Sequence, residues 1–125
     1  MKKVVQTENA PKPVGPYSQG IKVNKFLFVS GQVAIDPEEG KIFANGIKAQ
    51  TVKVMENIKA ILHAAGYNFN DVIQSNVYLS SMAFFSEFNN EYAKYFDKDF
   101  PTRATVGIEL MRDALVEISV VAYKE

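Results

Sequence analysis

The most regular stripe of apolar positions runs from Ile47 to Ala65, where Ile47, Thr51, Val54/Met55, Ile58, Ile61/Leu62 and Ala65 recur at three- and four-residue steps. Such spacing predicts a helix with one buried face. Lys48, Lys53, Glu56 and Lys59 fall off that face, and Gly66 marks its end. A second helix is expected from a cap at Ser80 or Ser81 to about Phe96, with Phe85, Phe88, Tyr92 and Tyr95/Phe96 along its buried side. Elsewhere the period is two. Lys3–Gln6 reads as a short strand, and Gln19–Val23 and Phe26–Ser30 as a hairpin about Asn24-Lys25. Gln32–Ile35 is extended, Asp36–Gly40 is a turn, and Lys41–Phe43 returns from it. Asp71–Leu79, Arg103–Leu110 and Leu115–Tyr123 are further strands. Phe26 and Phe28 alternate with Leu27 and Val29, so this strand is expected to be covered on both sides.

The element order gives an α+β fold, a mixed six-stranded sheet with two helices packed on one face, in a single domain spanning residues 1–125. In the strand after Pro101, alternation puts Arg103 and Thr105 on one face and Ala104, Val106, Ile108 and Leu110 on the other. With the apolar set assigned to the core, Arg103 and Thr105 join Gln74, Asn76, Tyr78 and Glu117 on the face away from the helices. No helix remains to cover that face, which leaves solvent or another subunit.

Composition narrows the chemistry. Lys+Arg and Asp+Glu are balanced at 14 each, so no global field draws the chain to nucleic acid or anionic lipid. The absence of cysteine excludes disulfides and thiolate chemistry, and a single histidine makes a His-based metal site or a Ser–His triad a poor reading. His63 reads as an exposed residue at a helix end. The N-terminus lacks a signal peptide's apolar region, and no apolar run approaches the roughly 20 residues of a membrane span, so a cytoplasmic protein without membrane contact is expected. Arg103 at a strand mouth and Glu117 among apolar neighbours are the two charges that could belong to a site. An arginine at a strand end usually pairs with a carboxylate or sits in solvent, and a carboxylate in so apolar a strand is either outward-facing or held in a site.

The combination of motifs is more specific than any member. Gly15-Pro16-Tyr17-Ser18-Gln19 is followed by Phe28-Val29-Ser30-Gly31-Gln32, Asp36-Pro37, Gln50-Thr51, Asn57-Ile58 and Ala65-Gly66. Asn89, Tyr92, Pro101-Thr102-Arg103 and Val116-Glu117-Ile118 complete the series. From about Ala10 to Ala122 the chain resembles the reactive-intermediate deaminase family (RidA, or YjgF-type). That resemblance implies a chorismate-mutase-like fold (bacillary type) assembled as a homotrimeric barrel, with sheets inward, helices outward and ligand clefts between subunits. It implies a 2-iminobutanoate/2-iminopropanoate deaminase that hydrolyses imines and their enamine tautomers to 2-oxo acids and ammonia, with no metal or other cofactor. By position Arg103 matches the substrate anchor and Glu117 the residue that orients water. Tyr17, Ser30 and Asn89 match cleft-lining positions, and Thr105 stands where many members have cysteine. Two alternatives come with the family: a non-catalytic or regulatory binder of small 2-oxo or imino carboxylates, and an RNA-directed translation inhibitor or endoribonuclease, which the balanced charge disfavours. The chain departs from the pattern at Met111-Arg112, where a Leu-Pro step is usual and the loop is about one residue shorter, and near Phe84, where an acidic residue is often found.

Overall fold

The computed structural model describes residues 1–43 and 45–125. Six strands, β1 (Lys2–Val5), β2 (Gly20–Val23), β3 (Phe26–Gln32), β4 (Val72–Leu79), β5 (Thr102–Gly107) and β6 (Val116–Tyr123), form one sheet in the order β1-β2-β3-β6-β4-β5. All neighbours are antiparallel except β4 and β5, which run parallel at one free edge. Helices α1 (Ile47–Ala64) and α2 (Phe85–Tyr92) lie against the same face. The expected α+β architecture is thus the one observed.

The apolar stripe of α1 sets the core. Val54, Met55, Ile58, Ile61 and Leu62 pack against Leu27 and Val29 of β3 and against Val116, Ile118, Val120 and Ala122 of β6, all essentially buried. Gly66, at φ 84°, ends α1 in a left-handed turn in which its own N–H reaches the His63 carbonyl and that of Tyr67 the Leu62 carbonyl. His63 is exposed in the last turn, as a helix-end histidine should be. The second helix is composite. Ser81 accepts a hydrogen bond from the Ala83 N–H and caps a 3-10 turn (Met82–Phe84), α2 follows, and another 3-10 turn (Ala93–Tyr95) brings the chain to Phe96. Phe88, Tyr92 and Phe96 are buried, but Phe85 keeps 37% of its surface exposed.

Two irregularities move side chains off simple alternation. The β4–β6 register shifts between Val72 and Gln74, which puts Ile73 on an exposed bulge instead of on the face of Val77 and Leu79. The β3–β6 register shifts between Val29 and Gln32, where Ser30 and Gly31 stand opposite a single residue.

The face away from the helices is uncovered in one chain. Phe28 and Val121 pair across it, as do Tyr78 and Glu117, Asn76 and Ser119, and Gln74 and Val121. Phe26 and Phe28 are therefore covered on one side of their strand only and stay exposed on the other. Gln74, Asn76, Tyr78 and Glu117 lie where alternation placed them. Arg103 and Thr105 do not. Strand β5 pairs Arg103 with buried Ser75 and Thr105 with buried Val77, so both sit on the helix side of the sheet, and Ala104 and Val106 turn to the open face. The period was correct and the phase inverted, because an edge strand need not aim its apolar residues at its own chain's core. The strand is also shorter than expected, ending at Gly107, with Ile108 exposed beyond it.

Candidate functional site

The polar residues singled out in the sequence fall into two clusters. The first surrounds Arg103 at the β5 edge. Its guanidinium carbon lies 5.0 Å from the Tyr92 ring centroid, 5.6 Å from Phe88 and 5.7 Å from Phe85. Ring faces carry partial negative charge, so this slot holds a cation without neutralising it. Tyr92 is fixed in turn by a 2.9 Å hydrogen bond from its hydroxyl to Ser75 Oγ on β4, and burial pushes its pKa up, which keeps the donor proton in place. No carboxylate lies within ion-pair distance of Arg103 among the described residues. Asn89, Tyr92, Ala93, Phe100 and Pro101 complete a hollow beside it, and Asn89 contributes a buried Oδ1 with no hydrogen-bond partner there. A half-buried guanidinium that makes no hydrogen bond among the described residues, beside an unsatisfied amide oxygen, can grip a small anion that also carries a donor. Thr105 follows two residues along the same strand face, half-buried, and is not among the residues lining the hollow.

The second cluster surrounds Glu117 on the open face. Tyr17, Ser30, Gly31, Val14, Val33, Ile35 and Met111 line a mostly apolar hollow with the carboxylate in it. Loss of hydration raises the Glu117 pKa above its ordinary value. The Gly15–Gln19 motif acquires a structural meaning here. The Gln19 side chain is buried and accepts from the Thr7 N–H at 2.7 Å while its Nε2 reaches the carbonyls of Thr7, Ala10 and Pro11, which ties down the proline-rich loop. Ser30 donates to the Ser18 carbonyl at 2.6 Å, and the Val14 N–H donates to the Tyr17 hydroxyl at 3.3 Å. Tyr17 is thereby held at the rim of the Glu117 hollow.

Gly31, Val14, Val33, Ile35 and Met111 were not anticipated as site residues. For Gly31 a signal existed: a glycine inside a strand often marks a bulge or a close approach. Here a Cβ would run into the Glu117 carboxylate, with its Cδ 3.0 Å away. Gly31→Ala is expected to displace that carboxylate while the chain stays folded, checked by a shift of the Glu117 carboxyl carbon-13 resonance beside a thermal melt. Nothing in the sequence marked the apolar lining, since valine, isoleucine and methionine are indistinguishable there from core residues.

Within one chain, Arg103 and Asn89 therefore sit on the helix side of the sheet, and Glu117, Tyr17 and Ser30 belong to a separate hollow on the open side. The class this defines is a one-domain α+β protein with an arginine stacked on aromatic rings at one edge, a carboxylate hollow and an uncovered sheet face. A family model described as Endoribonuclease L-PSP matches residues 7–124. A RutC family protein of Pyrococcus horikoshii is 55% identical over 126 residues, covering 100% of both chains. RidA from an Antarctic Psychrobacter superposes with a TM-score of 0.94 at 39% identity, covering 98% of this chain and 99% of that one. Escherichia coli TdcF, solved with bound serine, superposes at 0.93 with 34% identity over 98% and 99% of the two chains. The chain belongs to the YjgF/RidA family. No helix is long and apolar enough to cross a membrane among the described residues.

Proposed function

We propose that this protein is a 2-imino acid deaminase acting on 2-iminopropanoate and 2-iminobutanoate, assembled as a homotrimer whose clefts unite the two hollows from neighbouring subunits. The observation that carries the reading is the split itself. A free cation and a desolvated carboxylate lie on opposite faces of one sheet, each in an incomplete hollow, beside an open apolar face that another copy of the chain would cover. Family membership and a relative solved with serine, itself a small amino-carboxylate, support the substrate class.

The chemistry asks little beyond placement. The substrate carboxylate pairs with the Arg103 guanidinium in two parallel hydrogen bonds, with the Asn89 amide beside it. A water oxygen adds to C2 of the protonated imine, and the C=N π pair moves to nitrogen. Glu117 takes a proton from that water and passes it to the nitrogen, giving a tetrahedral aminoalcohol. Glu117, again a carboxylate, takes the hydroxyl proton, so C=O forms as the C–N pair leaves on nitrogen, which releases ammonia and the 2-oxo acid. A carboxylate with a raised pKa suits proton transfer in both directions. Thr105 contributes through its backbone, so the residue that replaces the common cysteine leaves the reaction available.

The test is ammonia release from 2-iminopropanoate generated in place by a pyridoxal-dependent serine dehydratase. Acceleration over the uncatalysed hydrolysis supports the reading. Calorimetric binding of a 2-oxo acid without turnover would replace it with a regulatory carboxylate binder. Salt-sensitive cleavage of RNA by nuclease-free protein would replace it with an RNA-directed role.

A further inference from the structure

Two buried polar side chains on α1 are not used by their own helix. Gln50 and Asn57 are seven residues apart, hence on one helix face, in a stripe that is otherwise apolar. Gln50 donates from Nε2 to the Asp113 carbonyl and accepts at Oε1 from the Leu115 N–H, both at 2.8 Å. Asn57 donates from Nδ2 to the carbonyls of Val33 at 3.2 Å and Ile35 at 2.9 Å. Burying an amide costs stability unless it is fully bonded, and a leucine at either position would suit the core, so packing alone does not call for these residues.

What the two side chains hold is irregular backbone on either side of Glu117. Val33 and Ile35 line one side of the Glu117 hollow, and Met111, in the turn closed by the Ala114 N–H to the Met111 carbonyl, lines another. Asp113 in that turn has φ 67°, a left-handed conformation uncommon outside glycine, though aspartate tolerates it better than most residues. Gln50 supplies a restraint at that residue's own carbonyl.

We propose that Gln50 and Asn57 are positioning residues, which brace two walls of the Glu117 hollow from α1 and thereby set how much water reaches the carboxylate. The inference rests on Glu117 being the proton-transfer group of the deaminase reading. Its test compares wild type with Gln50→Met by carbon-13 NMR titration of the Glu117 carboxyl in the assembled protein, alongside kcat and KM for 2-iminopropanoate. Tyr17 lines the hollow, Tyr78 pairs with Glu117 across β4 and β6, and Arg112 and Asp113 follow Met111 in the turn; Gln50 touches neither tyrosine and meets Asp113 only at its backbone carbonyl.

In Gln50→Met the loosened wall admits water. The Glu117 midpoint is expected to fall towards the ordinary carboxylate range, and kcat to fall about tenfold with KM changing less. Thr51→Val is the control. Thr51 is equally buried, but its hydroxyl bonds only to the Ile47 carbonyl of its own helix, so it should lower the melting temperature without moving the titration. If Gln50→Met does not fold, Gln50→Leu removes both hydrogen bonds in a side chain that suits the core and adds no charge, with the same direction expected. An unchanged midpoint in a folded Gln50 variant, or an equal shift in Thr51→Val, would overturn the proposal. A wild-type protein with a raised Glu117 midpoint that releases no ammonia would instead defeat the deaminase reading, and the midpoint comparison would still decide the role of Gln50.

Discussion

Replacing Arg103 with alanine is expected to lower kcat/KM for 2-iminopropanoate about a thousandfold, equivalent to about 4 kcal/mol of lost transition-state binding. The size follows from the site. Phe85, Phe88 and Tyr92 hold the guanidinium without supplying a counter-charge, so in the proposed reaction the substrate carboxylate is left to pair with it, and among the described residues no other cation lines the hollow to take over. Arg103→Lys separates charge from geometry. An ammonium keeps the point charge but loses the planar fork and the ring stacking, so a loss of about a hundredfold is expected, mostly in KM. Wild-type kinetics in a folded Arg103→Ala protein would remove the anchor role.

The second large effect is at Glu117. Glu117→Gln keeps the shape and removes the proton acceptor, and kcat is expected to fall by about two to three orders of magnitude with little change in KM. Its pH dependence has a definite sign. Desolvation raises the folded-state pKa, so in wild type the active, ionised form appears as pH rises through a value above the usual carboxylate range. The rate should climb through that window, and the limb should vanish in the glutamine variant. Stability runs the other way. Between the unfolded and the raised folded pKa the native state binds more protons, so wild-type stability falls as pH rises across that interval. Glu117→Gln should therefore be the more stable protein at neutral pH, with the advantage disappearing in acid, where both side chains are uncharged. Denaturant melts of both proteins across the pH range check this.

Much of the fold was legible because periodicity survives wherever one face of an element packs on its own chain. The stripe of α1, the alternation of β6 and the Gly66 stop are of this kind. At β5 the same rule failed. Ala104 and Val106 are apolar and exposed, while Arg103 lies against the aromatic side of α2 with Thr105 on the same strand face, so hydrophobicity pointed away from the core and not towards it. The β-bulge at Ile73 was invisible for a related reason: one inserted residue reverses every later side chain, and nothing in the composition there marks the insertion, whereas at Ser30-Gly31 the glycine was the one trace. Of the site, the charged residues could be picked out but not grouped. Arg103 and Glu117 looked like one face of one sheet and occupy two. Gln50 and Asn57, inside a helical stripe, gave no sign that their amides reach backbone 63 and 24 residues away.

In the proposed trimer the working site joins Arg103 of one subunit to Glu117 of the next. Arg103→Ala and Glu117→Gln chains, each inactive alone, can be unfolded together in equal amounts, refolded as mixed trimers and assayed for ammonia release. If each cleft takes its anchor from one subunit and its carboxylate from a neighbour, random assembly gives about a quarter of the clefts both intact groups, and about a quarter of wild-type activity returns. Mixed trimers as inactive as their parents would place both groups in the same chain and contradict the account.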